Sequence, residues 1–239
     1  MVVLGIDTSN KAMGIAIQKD GVLLGEHLAT NQKNHSVTLM PAIDFLMSEN
    51  NLTPKDLSKI VVAKGPGSYT GLRIGVTTGK TLAWTLGIPL YAMSSLKVLA
   101  GSIPQELVNN AIIIPIMDAR RDNVYAGAYC YKERALVSVI ADKHCHITQL
   151  LSELVGINKP LLFVGNDLPA FKTTIQTAFP DAKLQATTLT PRTLVDAVIE
   201  SERVTDLDEF VPAYLKRVEA EEKWLETHQL EDTDYVKRV

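Results

Sequence analysis

Four glycines recur at every fourth position of one segment, at Gly67, Gly71, Gly75 and Gly79. Apolar residues at helical spacing predict a helix over residues 70–86, in which the last three of these glycines share one face. Each of them costs up to about 1 kcal/mol against alanine in a helix interior. Such a stripe indicates a surface where another backbone comes close, and that backbone belongs either to the chain's own sheet or to a partner's helix.

The spacing of the glycines excludes two common phosphate-binding loops. A Walker A loop has four residues between its first glycine and the Gly-Lys pair, but only three residues separate Gly75 from Gly79. A dinucleotide-binding loop reads G-x-G-x-x-G, but Gly65, Gly67 and Gly71 are spaced G-x-G-x-x-x-G. The glycines are therefore interpreted as packing residues.

Length and composition favour a cytosolic globular protein with one large domain or two half-sized domains. The chain has 239 residues, 46% of them hydrophobic, which is enough for a core. Its two cysteines form no disulfide framework, and the apolar N-terminal run contains Asp7, unlike a signal peptide. No stretch approaches the roughly 20 apolar residues of a membrane span. The net charge of −3 predicts no general nucleic-acid surface, so a partner would supply the basic contacts to any RNA.

The order of predicted elements indicates a duplicated α/β unit. Three short N-terminal strands form a meander, and a helix, a strand and the glycine-striped helix follow. The same order begins again near residue 112, with a second meander and alternating helices and strands. We expect a first lobe over residues 1–102, a second lobe over residues 103–215, and a charged helix and tail over residues 216–239.

Two predicted strands end in an aspartate, and each aspartate has two interpretations. Asp7 is followed by Thr8 and Ser9, and Asp118 is followed by an Ala-Arg-Arg-Asp turn. Actin-like and sugar-kinase folds present carboxylates and hydroxyls in such turns to nucleotide phosphate and metal. The alternative is a turn whose side chains satisfy their own backbone, and spacing alone favours it.

The sequence predicts neither a metal site nor a nucleophile. His144 and His146 would share a strand face, with Cys145 between them, but no further histidine or cysteine lies nearby to complete a tetrahedral site. Ser68 does not fit the G-x-S-x-G pattern of a nucleophile, and we interpret it as the cap of the glycine-striped helix. His35 is interpreted as a cap or contact residue at the start of the preceding helix.

Five segments together resemble one family. They are IDTS (6–9), HSVTLMPAID (35–44), GPGSYTGLRIG (65–75), IMDARRDNVYAGAY (116–129) and VPAYLKRVEAEEKW (211–224). In these segments the chain closely resembles the TsaB family, also called YeaZ, of bacterial proteins required for threonylcarbamoyladenosine synthesis on tRNA. The resemblance extends from Met1 to about Trp224.

The resemblance implies an α/β fold of the actin-like, sugar-kinase-like type, with two ribonuclease-H-like domains and mixed sheets flanked by helices. It also implies a partner subunit. TsaB proteins bind the paralogous transferase TsaD through helices of their first domains, the ATPase TsaE joins the pair, and tRNA is contacted through the complex. In isolation they form homodimers through the same surface. The residues expected at this interface are Gly67, Ser68, Tyr69, Gly71, Leu72, Gly75, Gly79 and His35.

The resemblance further implies that the chain is not an enzyme. TsaD holds its metal with a His-x-x-x-His pair, and counting along the motif places Ser95 and Leu99 at the two positions. No cofactor is expected, and weak ATP or ADP binding with magnesium stays open at Asp7, Thr8, Ser9, Asp118 and Asn166. The alternative hypothesis is a small-molecule kinase or ATPase that uses Asp7 and Asp118 around magnesium.

Overall fold

The computed structural model describes residues 1–30, 35–108, 110–133 and 135–216, and two five-stranded sheets form its framework. The first sheet contains β1 (Val2–Asp7), β2 (Met13–Lys19), β3 (Val22–Ala29), β4 (Leu57–Ala63) and β5 (Leu90–Met93), in the order β3-β2-β1-β4-β5. The second contains β6 (Ile112–Asp118), β7 (Asn123–Lys132), β8 (Ala135–His146), β9 (Leu161–Val164) and β10 (Lys183–Gln185), in the order β10-β9-β6-β7-β8.

The two sheets have the same topology. In the first, β1 pairs antiparallel with β2 and parallel with β4. In the second, β6 pairs antiparallel with β7 and parallel with β9. The prediction of a duplicated α/β unit with mixed sheets flanked by helices is confirmed.

Helices cover both sheets. The described residues form α1 (His35–Glu49), α2 (Tyr69–Leu86), α3 (Ser95–Gly101), α4 (Ile147–Leu154), α5 (Leu168–Ala178) and α6 (Arg192–Asp196), with short 3-10 helices at Pro54–Asp56, Gln105–Leu107 and Glu200–Glu202. Helices α1 and α2 share one hydrophobic core with the first sheet, and α4 and α5 share another with the second. Helix α3 lies between the lobes, where its apolar residues pack with those of the second sheet.

Helix α2 begins and ends where its sequence predicts. Ser68 caps the N-terminus by accepting a hydrogen bond from Gly71 N at 3.3 Å, as expected. At the other end, Gly87 has a φ of 65°, the left-handed conformation that glycine adopts readily at helix ends. Leu72, Val76 and Ala83 are buried between these caps.

The segment from Leu189 onward belongs to the first lobe, which corrects the expected extent of the second lobe to residue 215. Leu189, Leu194 and Val195 pack in one cluster with residues of the first sheet. The chain then runs along this lobe, where Val204 N donates to Leu90 O at 2.8 Å and Ala213 N donates to Lys64 O at 2.7 Å. We call residues 203–216 the strap. Except for Lys216, the expected charged helix and tail over residues 216–239 lie outside the described residues.

Candidate functional site

The glycine stripe of α2 faces the chain's own first sheet. A methyl group added at Gly71 would lie 2.1 Å from the carbonyl oxygen of Thr8, and one added at Gly75 would lie 2.3 Å from Thr8 Oγ1. At Gly79 the nearest atom would be Cγ1 of Val62, also at 2.3 Å. The backbone that comes close therefore belongs to this chain, the first of the two alternatives left open by the sequence.

Most residues expected at a partner interface are consequently engaged within the chain. A methyl group at Gly67 would lie 2.1 Å from Ser9 O, and Leu72 is buried in the same region. His35 is also buried, with Nε2 3.4 Å from the carbonyl oxygen of Asn10. The expected roles of Gly67, Gly71, Leu72, Gly75, Gly79 and His35 in direct partner contact are corrected on this ground. Of the expected set, only Ser68 and Tyr69 are exposed.

The turn after β1 lies beneath the glycine-rich loop. Thr8 Oγ1 donates a hydrogen bond to Gly71 O at 2.6 Å, and Ser68 N donates to Ser9 O at 2.7 Å. Ser9 N donates to Asp7 Oδ1 at 2.8 Å. Asp7, Thr8 and Ser9 are each 1% exposed, so a nucleotide phosphate has no access to their side chains in this conformation. The turn instead satisfies its own backbone and that of α2.

The buried Asp7 carboxylate has few hydrogen bonds to replace those it would make with water. Asp7 Oδ2, Ser9 Oγ and His35 Nδ1 have no hydrogen-bond partner among the described residues. Desolvation raises the pKa of Asp7 above its ordinary value of 3.8, although the hydrogen bond from Ser9 N and the charge of His35 act in the opposite direction. The ionised form is therefore less favourable in the folded chain than in the unfolded chain.

This raised pKa predicts that Asp7→Asn stabilises the protein at neutral pH. Between the unfolded and folded pKa values of Asp7 the folded state binds more protons, so the wild-type stability falls as the pH rises through that window. Asparagine does not ionise, so the stability of the variant does not fall in this way. Its advantage in melting temperature should be largest above the folded pKa and should disappear as the pH falls toward 3.8.

Asp20→Asn is a control for which the expected change in stability at neutral pH has the opposite sign. The hydrogen bond from the N-terminal ammonium group lowers the pKa of the exposed Asp20 carboxyl, so this variant should lose stability at neutral pH and none at acid pH. Both can be followed by thermal unfolding over a pH series. Destabilisation of Asp7→Asn at neutral pH would contradict the prediction, because it would mean that the folded chain favours the ionised carboxylate.

The second strand-end aspartate lies in an exposed setting. Asp118 N donates to Asp167 Oδ2 at 3.0 Å, and Arg120 N donates to Asp118 Oδ1 at 2.8 Å. Lys11, two residues beyond Ser9, has its Nζ 3.8 Å from Asp167 Oδ1 and so bridges the two lobes. Asn166 is exposed in the same loop.

The five candidate nucleotide-binding residues therefore do not form one open site. Asp118 and Asn166 are exposed, whereas Asp7, Thr8 and Ser9 are covered. Sequence reasoning missed Asp167, whose position next to Asn166 and before Pro169, at the start of α5, was the available signal. Within the described ranges, no group of three or more His, Cys, Asp or Glu side chains could hold a metal ion. No described helix is both long and apolar enough to span a bilayer.

Ser95 and Leu99, the two positions that the family resemblance pairs with metal-binding histidines, are packing residues of α3. Ser95 Oγ accepts a hydrogen bond from Gly65 N at 3.1 Å and so holds the glycine-rich loop. Leu99 lies in the hydrophobic cluster between the lobes, with Ile113 and Tyr129. A leucine side chain has no lone pair for a metal, and this one is needed for packing.

The structure therefore predicts that Leu99→Ala costs about 3 kcal/mol of unfolding free energy, the usual cost of truncating a fully buried leucine. Leu99 is 2% exposed, whereas the nearby Leu107 is 71% exposed. Leu107→Ala is the matched control and should change stability by less than about 0.5 kcal/mol. Urea unfolding of both variants measures the difference, and equal midpoints would show that the interlobe cluster does not stabilise the fold.

The outer surfaces of α1 and α2 carry a group of exposed apolar side chains. Both helices begin at the end of β1, with His35 against Asn10 and Ser68 against Ser9. They therefore run side by side across the same face of the sheet. We define the outer helix face as five side chains that are between 47% and 74% exposed: Val37, Met40, Phe45, Tyr69 and Trp84.

Sequence reasoning missed most of this face. The available signal was the apolar character of both sides of α1, where Leu39, Ile43 and Leu46 face the core and Val37 and Phe45 face solvent. Apolar residues gathered on an exposed surface commonly mark an interaction site.

Comparison with known proteins gives concordant results. A family model described as "TsaD: tRNA N6-adenosine threonylcarbamoyltransferase" matches residues 23–224. The chain is 42% identical over 232 residues to the "tRNA threonylcarbamoyladenosine biosynthesis protein TsaB" of Bacillus subtilis, covering 96% of this chain and 100% of that protein. It is 26% identical over 185 residues to the protein of the same name from Buchnera aphidicola, covering 77% and 87% of the two chains.

A solved structure supports the fold. YeaZ from Pseudomonas aeruginosa superimposes with a TM-score of 0.75 at 24% identity, covering 90% of this chain and 99% of that one. This likeness extends over both lobes and agrees with the duplicated architecture. The 42% identity to the Bacillus subtilis protein, which extends over nearly the whole chain, shows that the chain belongs to the TsaB family.

Proposed function

We propose that this chain acts in threonylcarbamoyladenosine biosynthesis on tRNA as a non-catalytic subunit that binds and activates a TsaD-type transferase. Its relatives carry the name of this biosynthesis, and a transferase family model matches most of its length. One observation carries the non-catalytic part of the proposal. The chain uses Ser95 and Leu99 for its own packing, and these are the residues that the family resemblance sets at the positions of the transferase's metal ligands.

The outer helix face supports a role in subunit association. Trp84 and Phe45 are large aromatic side chains that are well exposed, and aromatic residues are typical anchors of protein interfaces. The glycine stripe contributes indirectly. It allows α2 to pack close to the sheet and thereby fixes the position of the outer helix face relative to the sheet. The proposed occupant is the first lobe of a TsaD-type paralogue, and in its absence a second copy of this chain.

The surface charge fits an indirect relation to tRNA. The chain has 24 basic and 27 acidic residues and a net charge of −3, so it offers no general attraction to the phosphate backbone. In the proposed assembly the transferase and a TsaE-type ATPase complete the complex, and the tRNA is held mainly by these partners. The proposed setting is the cytoplasm.

Depletion of the chain in its native cell tests this function. We expect depletion to lower the amount of threonylcarbamoyladenosine in bulk tRNA, measured by mass spectrometry of the hydrolysed nucleosides. Re-expression of the wild-type chain should restore it, and a tagged copy should co-purify the TsaD-type protein. Unchanged modification after depletion would contradict the proposal and would leave a function outside tRNA modification.

A further inference from the structure

A cavity of about 520 Å³ lies between the lobes, apart from the turn after β1 and from the outer helix face. Its walls come from the end of β4, the start of α3, strands β7 and β8, the 3-10 helix at Glu200–Glu202, and the strap. A volume of this size is typical of small-molecule sites. The cavity thus has the dimensions of a small-molecule site.

Two lysine ammonium groups line the first-lobe side of the cavity. Lys97 is 7% exposed, and its Nζ donates to Glu202 Oε1 at 2.7 Å, which leaves further N–H donors unused. Lys64 lines the same side of the cavity. Both lysines are thus able to donate to an anionic group of a ligand.

A carboxylate stands on the second-lobe side of the same cavity. Asp142 accepts hydrogen bonds from the hydroxyl groups of Ser94 and Tyr129, one on each oxygen. Each carboxylate oxygen accepts more than one hydrogen bond, so capacity for a further donor is left. The positive charge of Lys64, which lines the same cavity, favours the ionised form of this carboxylate. Desolvation raises the pKa of Asp142, which indicates a site where a cationic partner would be favourable.

The charges of the cavity select the kind of ligand. Lys64 and Lys97 are balanced by Asp142 and Glu202, so the four groups sum to zero. A dianion such as phosphate would leave the cavity with excess negative charge beside Asp142. A molecule that carries one carboxylate and one adjacent ammonium group would satisfy the lysines and Asp142 and leave the sum unchanged. The apolar part of the remaining wall is formed by Leu136, Ile199 and Leu215, beside Ser138 and Ser201.

We propose that this cavity binds a free α-amino acid with an apolar side chain. The ligand carboxylate lies between Lys64 and Lys97, the ammonium group donates to Asp142, and the side chain packs against Leu136 and Leu215. The site is independent of the proposed role in subunit association, since none of these residues belongs to the outer helix face.

Calorimetric titration of the full chain with L-leucine tests the proposal. We expect saturable binding at millimolar concentrations or below. Leucinamide lacks the carboxylate, 4-methylpentanoate lacks the ammonium group, and glycine lacks the side chain. Each should bind at least about tenfold more weakly, the loss expected for one charge-assisted hydrogen bond or one buried apolar group. Inorganic phosphate should not compete.

Two variants and a matched control test whether leucine binds in this cavity. Lys64→Met and Asp142→Asn should each weaken leucine binding at least about tenfold. Lys172→Met, which removes an exposed lysine of α5 outside the cavity, should leave the affinity unchanged. Leucine titration of the wild-type chain should also shift the amide NMR signals of Gly65 and Ser94 and not that of Gly156.

Three results would overturn the assignment. They are the absence of saturable leucine binding, equal binding of leucine and 4-methylpentanoate, and equal affinities of the wild type and folded Lys64→Met. If Asp142→Asn does not fold, the ligand analogues still decide the question on the wild-type chain.

Discussion

Replacing Gly71 with alanine is expected to destabilise the protein by about 4 kcal/mol or more, among the largest effects of a single methyl group. The added Cβ would lie 2.1 Å from the carbonyl oxygen of Thr8, a backbone atom that cannot rotate away. Relief requires α2 to move off the sheet, which would also break the hydrogen bond from Thr8 Oγ1 to Gly71 O. Urea unfolding followed by circular dichroism measures the loss.

Gly87→Ala is the control in the same helix. Gly87 also has a special conformation, with a φ of 65°, but no atom lies within 4 Å of an added methyl group. It should therefore cost only about 1 kcal/mol, from backbone strain alone. Gly71→Ala with near-wild-type stability and lost partner binding would contradict the account, because the stripe would then face a partner.

The double variant Val37→Arg/Trp84→Arg is expected to weaken binding to the TsaD-type paralogue at least about 100-fold, which corresponds to the loss of one or two interface anchors. Val37 is 68% exposed and Trp84 is 74% exposed in the isolated chain, so the folded state should tolerate both changes. Arginine would have to be buried without a partner in the complex, which adds a desolvation cost. Calorimetry with the purified paralogue measures the affinity.

Val155→Arg is the matched control for this surface. Val155 is a 72% exposed valine at the end of α4 in the second lobe, so the same substitution is made at the same exposure away from the outer helix face. It should leave binding to the paralogue unchanged. If Val155→Arg weakened binding to the paralogue as much as the double variant did, or if the double variant bound normally, the outer helix face would not be the interface. Sedimentation of the isolated chain tests the homodimer in the same way.

The duplicated fold was predictable because it follows from sequence patterns within single strands, turns and helices. Alternating apolar strands with turns between them, followed by amphipathic helices, occur twice in the same order, and the two sheets follow that order. Ser68 was recognisable as a helix cap from its position before the glycine-striped helix. These features depend on residues close in sequence, which is where propensities and spacing are informative.

The direction of the glycine stripe was not predictable from spacing. Glycines on one helix face show that another backbone comes close, but they do not show which backbone it is. Thr8 is separated from Gly71 by 63 positions, and only the folded chain brings the two residues together. The burial of Asp7 has the same cause, since the glycine-rich loop covers it. The return of the strap to the first lobe was not predictable from local spacing, because Val204, Leu207 and Phe210 pack against a core that is formed by residues far away in the sequence. The hydrogen bond from Ala213 N to Lys64 O is equally non-local.

The most direct test of the central claim is a reconstituted modification reaction with unmodified tRNA and the threonylcarbamoyl donor. We expect no threonylcarbamoyladenosine from the purified chain alone, and product when the TsaD-type transferase and the TsaE-type ATPase are added. The transferase and ATPase without the chain should form little product. Product formed by this chain in the absence of the transferase would contradict the account.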